Sequence, residues 1–84
     1  MDEVATKTNE WQRIALHLEI DQVFIERFDR QQHGDIQNCF QDVFAKWQKQ
    51  LRPPFTWSVI IEALRSPSVS ETALANDLEK KYLS

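Results

Sequence analysis

Apolar residues recur along this chain at helical intervals of three and four, and nowhere do the β-branched residues alternate with a period of two. Residues 2–7 are short and mixed, with Val4 as the sizeable apolar side chain, and predict a frayed turn that lays Val4 against the body. Thr8 or Asn9 then caps a first helix over about 9–19, whose stripe is Trp11, Ile14, Ala15 and Leu18, with Leu16 outside it. Asp21 is a good N-cap for a second helix with Phe24, Ile25 and Phe28 buried, and Ile20 is placed to staple onto Ile25. The polar run 29–34 predicts a separate, short third helical turn closed by Gly34. Asp35 caps a fourth helix of about four turns carrying Ile36, Cys39, Phe40, Val43, Phe44 and Trp47, which Pro53 and Pro54 stop.

The stretch 53–66 is the piece around which the rest is expected to pack. Thr56 caps it, and Trp57, Ile60, Ile61 and Leu64 make a stripe flanked by Val59 and Ala63, so most of its circumference should be covered. Trp47 and Trp57 straddle the prolines and are expected to meet across that corner. Ser68-Val69-Ser70-Glu71 has the form of a capping box for a last helix that turns Leu74, Ala75, Leu78 and Tyr82 inward. Phe24 and Phe55 lie at helix edges, where exposure would mark a contact surface.

Composition narrows the class. A chain of 84 residues is one small domain, and its 42% hydrophobic and 11% aromatic content supplies the burial it needs. One cysteine excludes an internal disulfide, and the absence of an apolar leader points to a cytoplasmic or nuclear setting, free or as the intracellular part of a receptor or larger adaptor. No run approaches the ~20 apolar residues of a membrane span. A net charge of −3 gives no general attraction to nucleic acid or anionic membranes. The charge is unevenly placed: residues 1–29 carry seven carboxylates against three basic residues, and residues 46–65 carry four basic residues against Glu62. An acidic end and a basic middle let copies or relatives attract one another, although ordinary solvated faces have the same look.

Candidate chemistry is sparse. His17, His33 and Cys39 have no metal-ligand spacing, and Cys39 lies on an apolar stripe that raises a thiol pKa. No Gly-rich loop cradles phosphate, and carboxylate pairs such as Glu26 and Asp29 are ordinary on helix surfaces. No enzyme activity, cofactor, metal or small-molecule substrate is expected.

The chain resembles a death domain, a member of the death-fold superfamily. The resemblance runs from about Asn9 to Tyr82 and rests on Trp11-Gln-Arg-Ile-Ala, Ile25 with Phe28, Phe44 with Trp47, Trp57 with Ile60, Ile61 and Ala63-Leu64-Arg65-Ser66, and Leu74-Ala75 with Leu78. It implies an all-α, six-helix antiparallel bundle of Greek-key-like topology, a single domain over 1–84 with its core about 9–82. It further implies an adaptor that binds other death-domain proteins or itself in apoptotic or inflammatory signalling, through three asymmetric surface pairs. A first pair would join Arg27 and Arg30 to Arg13 and Asp42. A second would join Gln48, Lys49 and Arg52 to Arg65, Ser68, Ser70 and Glu71. A third would join the turn at 29–32 to loops near Glu19, Asp21 and Gly34. Contacts of this kind propagate.

Two rivals stand beside that reading. One is a structural helical domain making a fixed contact inside a larger protein. The other, a helix-turn-helix DNA reader, is disfavoured by an acidic chain whose central helix is apolar all round.

Overall fold

The computed structural model describes residues 2–83, with the side chain of Asp2 left aside. Six α-helices and no strands occur among them: α1 Asp2–Lys7, α2 Trp11–His17, α3 Gln22–Gln32, α4 Ile36–Lys49, α5 Trp57–Arg65 and α6 Thr72–Tyr82. One core cluster draws on all six, from Val4 of α1 to Leu78 of α6. α4 lies against α1, α2 and α3, while α5 packs on α6 and α2, so the organising role expected of 53–66 is shared with α4.

The helix count is as expected, but its distribution is different. Residues 29–32 form no third helix; they continue α3, because an unbroken backbone ladder needs no apolar side chains on a solvent-facing turn. His33 at φ 52° and Gly34 at φ 81° then end it, both in the left-handed region that glycine adopts without cost. The sixth helix is α1, at the place where a frayed turn was expected. Val4 and Ala5 are buried, and the Thr8 amide donates to the Val4 carbonyl.

The stripe of α2 is buried as read, with Leu16 outside, and so is that of α4 except for Ile36, which is half-buried at its first turn. The caps divide. Asp35 accepts from the Asn38 amide and Thr56 from the Val59 amide, whereas the Asp21 carboxylate makes no cap bond. No capping box forms at 68–71. Ser70 turns left-handed, Ser70 Oγ donates to the Pro67 carbonyl, and α6 starts only at Thr72, with backbone bonds from Ser70 to Ser66 and from Glu71 to Leu64 closing the turn.

Three aromatic placements depart from expectation. In α3 only Ile25 is buried, and Phe24 and Phe28 are half-covered. Trp47 does not stack with Trp57; its ring meets Phe55 at 4.5 Å between centroids, and its Nε1 donates to the Pro53 carbonyl at 2.8 Å. Tyr82 lies at the surface, stacked flat on Trp57 at 4.0 Å.

Tyr82 also joins the two ends of the fold. Its hydroxyl and the Lys81 ammonium donate to Glu3 Oε1 at 2.5 and 2.6 Å. The hydrogen bonds from Lys81 and then Tyr82 hold the Glu3 carboxyl below its ordinary range. With the folded pKa below the unfolded one, this stabilisation is present above the unfolded carboxylate range and is lost as pH falls through the folded value. Lys81 and Tyr82 are both raised by their bonds to Glu3, so their share is present below their ordinary pKa values and is lost as pH rises past the folded ones. Glu3→Gln is therefore expected to flatten the fall in melting temperature between about pH 5 and pH 2. Identical acid limbs in variant and parent would mean that the clasp contributes nothing in solution.

Candidate interaction surface

α3 and α4 each present a row at i, i+3, i+4, i+7 to a common groove. From α3 the row is Phe24, Arg27, Phe28 and Gln31; from α4 it is Asp42, Ala45, Lys46 and Lys49. These eight residues line an open groove of about 400 Å³. Phe24 is its platform. Lys46 Nζ stands 4.1 Å and Arg27 Cζ 5.7 Å from the centre of its ring, and Phe28 lies 6.5 Å from it ring to ring. A cation over a ring face is held by the ring quadrupole and keeps its charge available to an incoming anion. A second recess of about 340 Å³ adjoins on α3, lined by Val23, Glu26, Arg27, Arg30 and Gln31.

The electrostatics are one-sided. Asp42, the carboxylate in the groove, is engaged by the Gln32 side-chain amide at 2.8 Å. Arg27, Arg30, Lys46 and Lys49 have no carboxylate within ion-pair distance among the described residues; the pairs found there are Arg13 with Glu10, Arg65 with Glu79, and Lys81 with Glu3. The face is thus cationic and partly aromatic, suited to an acidic partner surface with an apolar anchor.

The structure regroups the expected residues. Arg27 and Asp42, assigned to opposite members of one surface pair, line the same groove. Arg13 belongs elsewhere: its Nη1 donates to the Ser68 carbonyl at 2.8 Å, which ties α2 to the α5–α6 turn. Arg65 is held by Glu79 at 2.8 Å and by Asn76 at 2.9 Å, and Glu79 is correspondingly lowered by the Arg65 hydrogen bond. Ser68 and Ser70 are exposed on that turn and Glu71 is half-buried, while Gln48 and Arg52 are exposed on α4 and the loop that follows it.

Lys46 and Phe24 are the additions. Phe24 stood out as a helix-edge aromatic, whereas Lys46 counted as one of the basic residues of 46–65; its spacing from Asp42 and Lys49 is the signal that places it on this face. Leu51, 95% exposed in the loop after α4, is a further surface feature without a sequence signal.

Cys39 is fully buried, its Sγ within 3.8 Å of the Phe28 carbonyl, and burial pushes its thiol pKa up, which keeps it protonated and unreactive. Among the described residues no three His, Cys, Asp or Glu side chains come together to hold a metal, and no helix is long and apolar enough to cross a membrane. Compared with family models, curated proteins and solved structures, the chain gives no match.

Proposed function

We propose that this domain is a protein–protein interaction module of the death-domain type, acting by assembly with like domains in intracellular signalling and carrying no chemistry of its own. The observation that carries the proposal is the α3–α4 groove, where three cations without carboxylate partners, Arg27, Lys46 and Lys49, line an accessible aromatic platform and a fourth, Arg30, lines the adjoining recess. A fold of six helices around one core agrees with the resemblance of the sequence, and the groove supplies the charged surface that such a module needs. Its partner would be an acidic helical face on another copy or on another death domain.

The test is the mass of the purified domain by size exclusion with light scattering, over a hundredfold range of concentration at low and moderate salt. Assembly is expected to grow with concentration and to weaken as salt screens the charges. The Arg27→Glu, Lys46→Glu double variant should weaken it about tenfold or more while leaving the thermal melt within about 0.5 kcal/mol of the parent, as for other surface substitutions. A monomer under every condition, indifferent to these reversals, would favour the rival reading of a helical domain with a fixed contact inside a larger protein.

A further inference from the structure

The C-terminal ends of α2 and α4 bring two loops together. The Gln50 side-chain amide donates to the Leu18 carbonyl at 3.3 Å and to the Arg52 carbonyl at 3.2 Å, which pins the α4–α5 loop beside the α2–α3 corner. Glu19 and Asp21 are exposed on the corner, and Lys49 and Arg52 on and just after the end of α4. None of the four has an ion-pair partner among the described residues. Between the two cations in the chain stands Leu51, which at 95% exposure is the most open of the large apolar side chains among the described residues. An apolar residue so fully in water, flanked by charge, is a contact point in search of cover.

The patch carries its own complement, two carboxylates beside two cations. A surface with that property matches itself under a two-fold rotation, which sets the Lys49 and Arg52 of each copy against the Glu19 and Asp21 of the other. We propose that the α2–α3 corner and the α4–α5 loop form a docking surface for a second copy of this chain, related by a two-fold axis that passes by Leu51. The two Leu51 side chains cover one another, and two equivalent sets of charge pairs surround them. Such a contact closes on itself and ends at two chains, unlike the propagating pairs expected of the α3–α4 groove. It shares Lys49 with the rim of that groove but none of the groove's other lining residues, and does not depend on Arg27 or Lys46.

A two-fold axis makes one demand that a head-to-tail contact does not: identical residues must meet. Leu51→Cys, exposed to oxygen with copper–phenanthroline as catalyst, is expected to give a disulfide-linked dimer at least about tenfold faster than Gln37→Cys, an exposed position on another part of α4. The one native thiol, Cys39, is buried, and the unsubstituted chain is the control. Adding Arg52→Glu to Leu51→Cys should slow the reaction about tenfold, and adding Glu19→Lys as well should restore it. Equal rates at Leu51→Cys and Gln37→Cys would overturn the proposal. The Arg27→Glu, Lys46→Glu background separates the two surfaces. Cross-linking that persists there supports the two-fold contact even where groove binding has failed, and cross-linking lost there would assign the contact to the groove and overturn it.

Discussion

Trp47→Ala is expected to destabilise the domain by about 3–5 kcal/mol, the range for a large aromatic removed from a closed core. Trp47 has no exposed surface, meets Phe44 at 6.4 Å and Phe55 at 4.5 Å, and donates from Nε1 to the Pro53 carbonyl. The side chain therefore does two things at once: it fills the core beneath α4 and fixes the loop through which the chain turns into α5. A domain of this length has a total stability of about 5–10 kcal/mol, so the loss amounts to roughly a third or more of it. The melting temperature should fall by about 15 °C or more. Trp47→Phe separates the two contributions, since it keeps most of the ring contact and removes the hydrogen bond, at a further cost of about 1 kcal/mol where water can still reach the carbonyl. Urea unfolding followed by circular dichroism reads both. A cost below about 1 kcal/mol for Trp47→Ala would contradict the burial of that ring.

Val4→Asp is expected to have the next largest effect, about 3 kcal/mol or more, because it would place a carboxylate where the native side chain has no exposed surface. Val4→Ala, which only removes two methyl groups, should cost about 1–2 kcal/mol. The comparison tests α1 itself. An isolated helix of six residues does not hold in water, so α1 exists because Val4 and Ala5 are buried and Glu3 is clasped by Lys81 and Tyr82. Amide exchange at residues 5–8 should accelerate in Val4→Asp by more than in the rest of the chain. If the aspartate variant melts with the parent, α1 does not pack its Val4 into the core in solution.

The dependence of α1 on distant partners explains why the sequence showed only a turn there. The signals for α4 are all local: a capping aspartate, a stripe of five buried residues and two prolines beyond the end. Those for α1 lie nearly eighty residues away, at Lys81 and Tyr82. The continuation of α3 through 29–32 was hidden for another reason, since a solvent-facing turn leaves no apolar mark and polar residues before a glycine look like a break. At Tyr82 the period itself misled. The spacing from Leu74, Ala75 and Leu78 puts the ring on the inner face of α6, but the last turn reaches past the edge of the core, where Trp57 receives it.

The candidate surface was half legible in the same sense. Phe24, Arg27, Phe28 and Gln31 share one face of a helix, as do Asp42, Ala45, Lys46 and Lys49, and both rows follow from spacing alone. That the two faces border one groove is a fact of tertiary packing, which no local pattern encodes. Arg65 shows the opposite case. It is a cation that sequence reasoning left free for a partner and that the fold spends on Glu79 and Asn76. Leu51 gave no sign at all, because an apolar residue just before two prolines looks like the final turn of the preceding helix.

The clasp of Glu3 by Lys81 and Tyr82 makes the path of the backbone almost a closed ring. A peptide of a few residues would bridge residues 3 and 82, and the chain could then be reopened at the exposed Leu51 without dividing any helix. In that rearranged order α5 and α6 would come first, α1 would follow them directly, and the contact that now closes the longest loop in the molecule would become a short-range one, formed early in folding at little entropic cost.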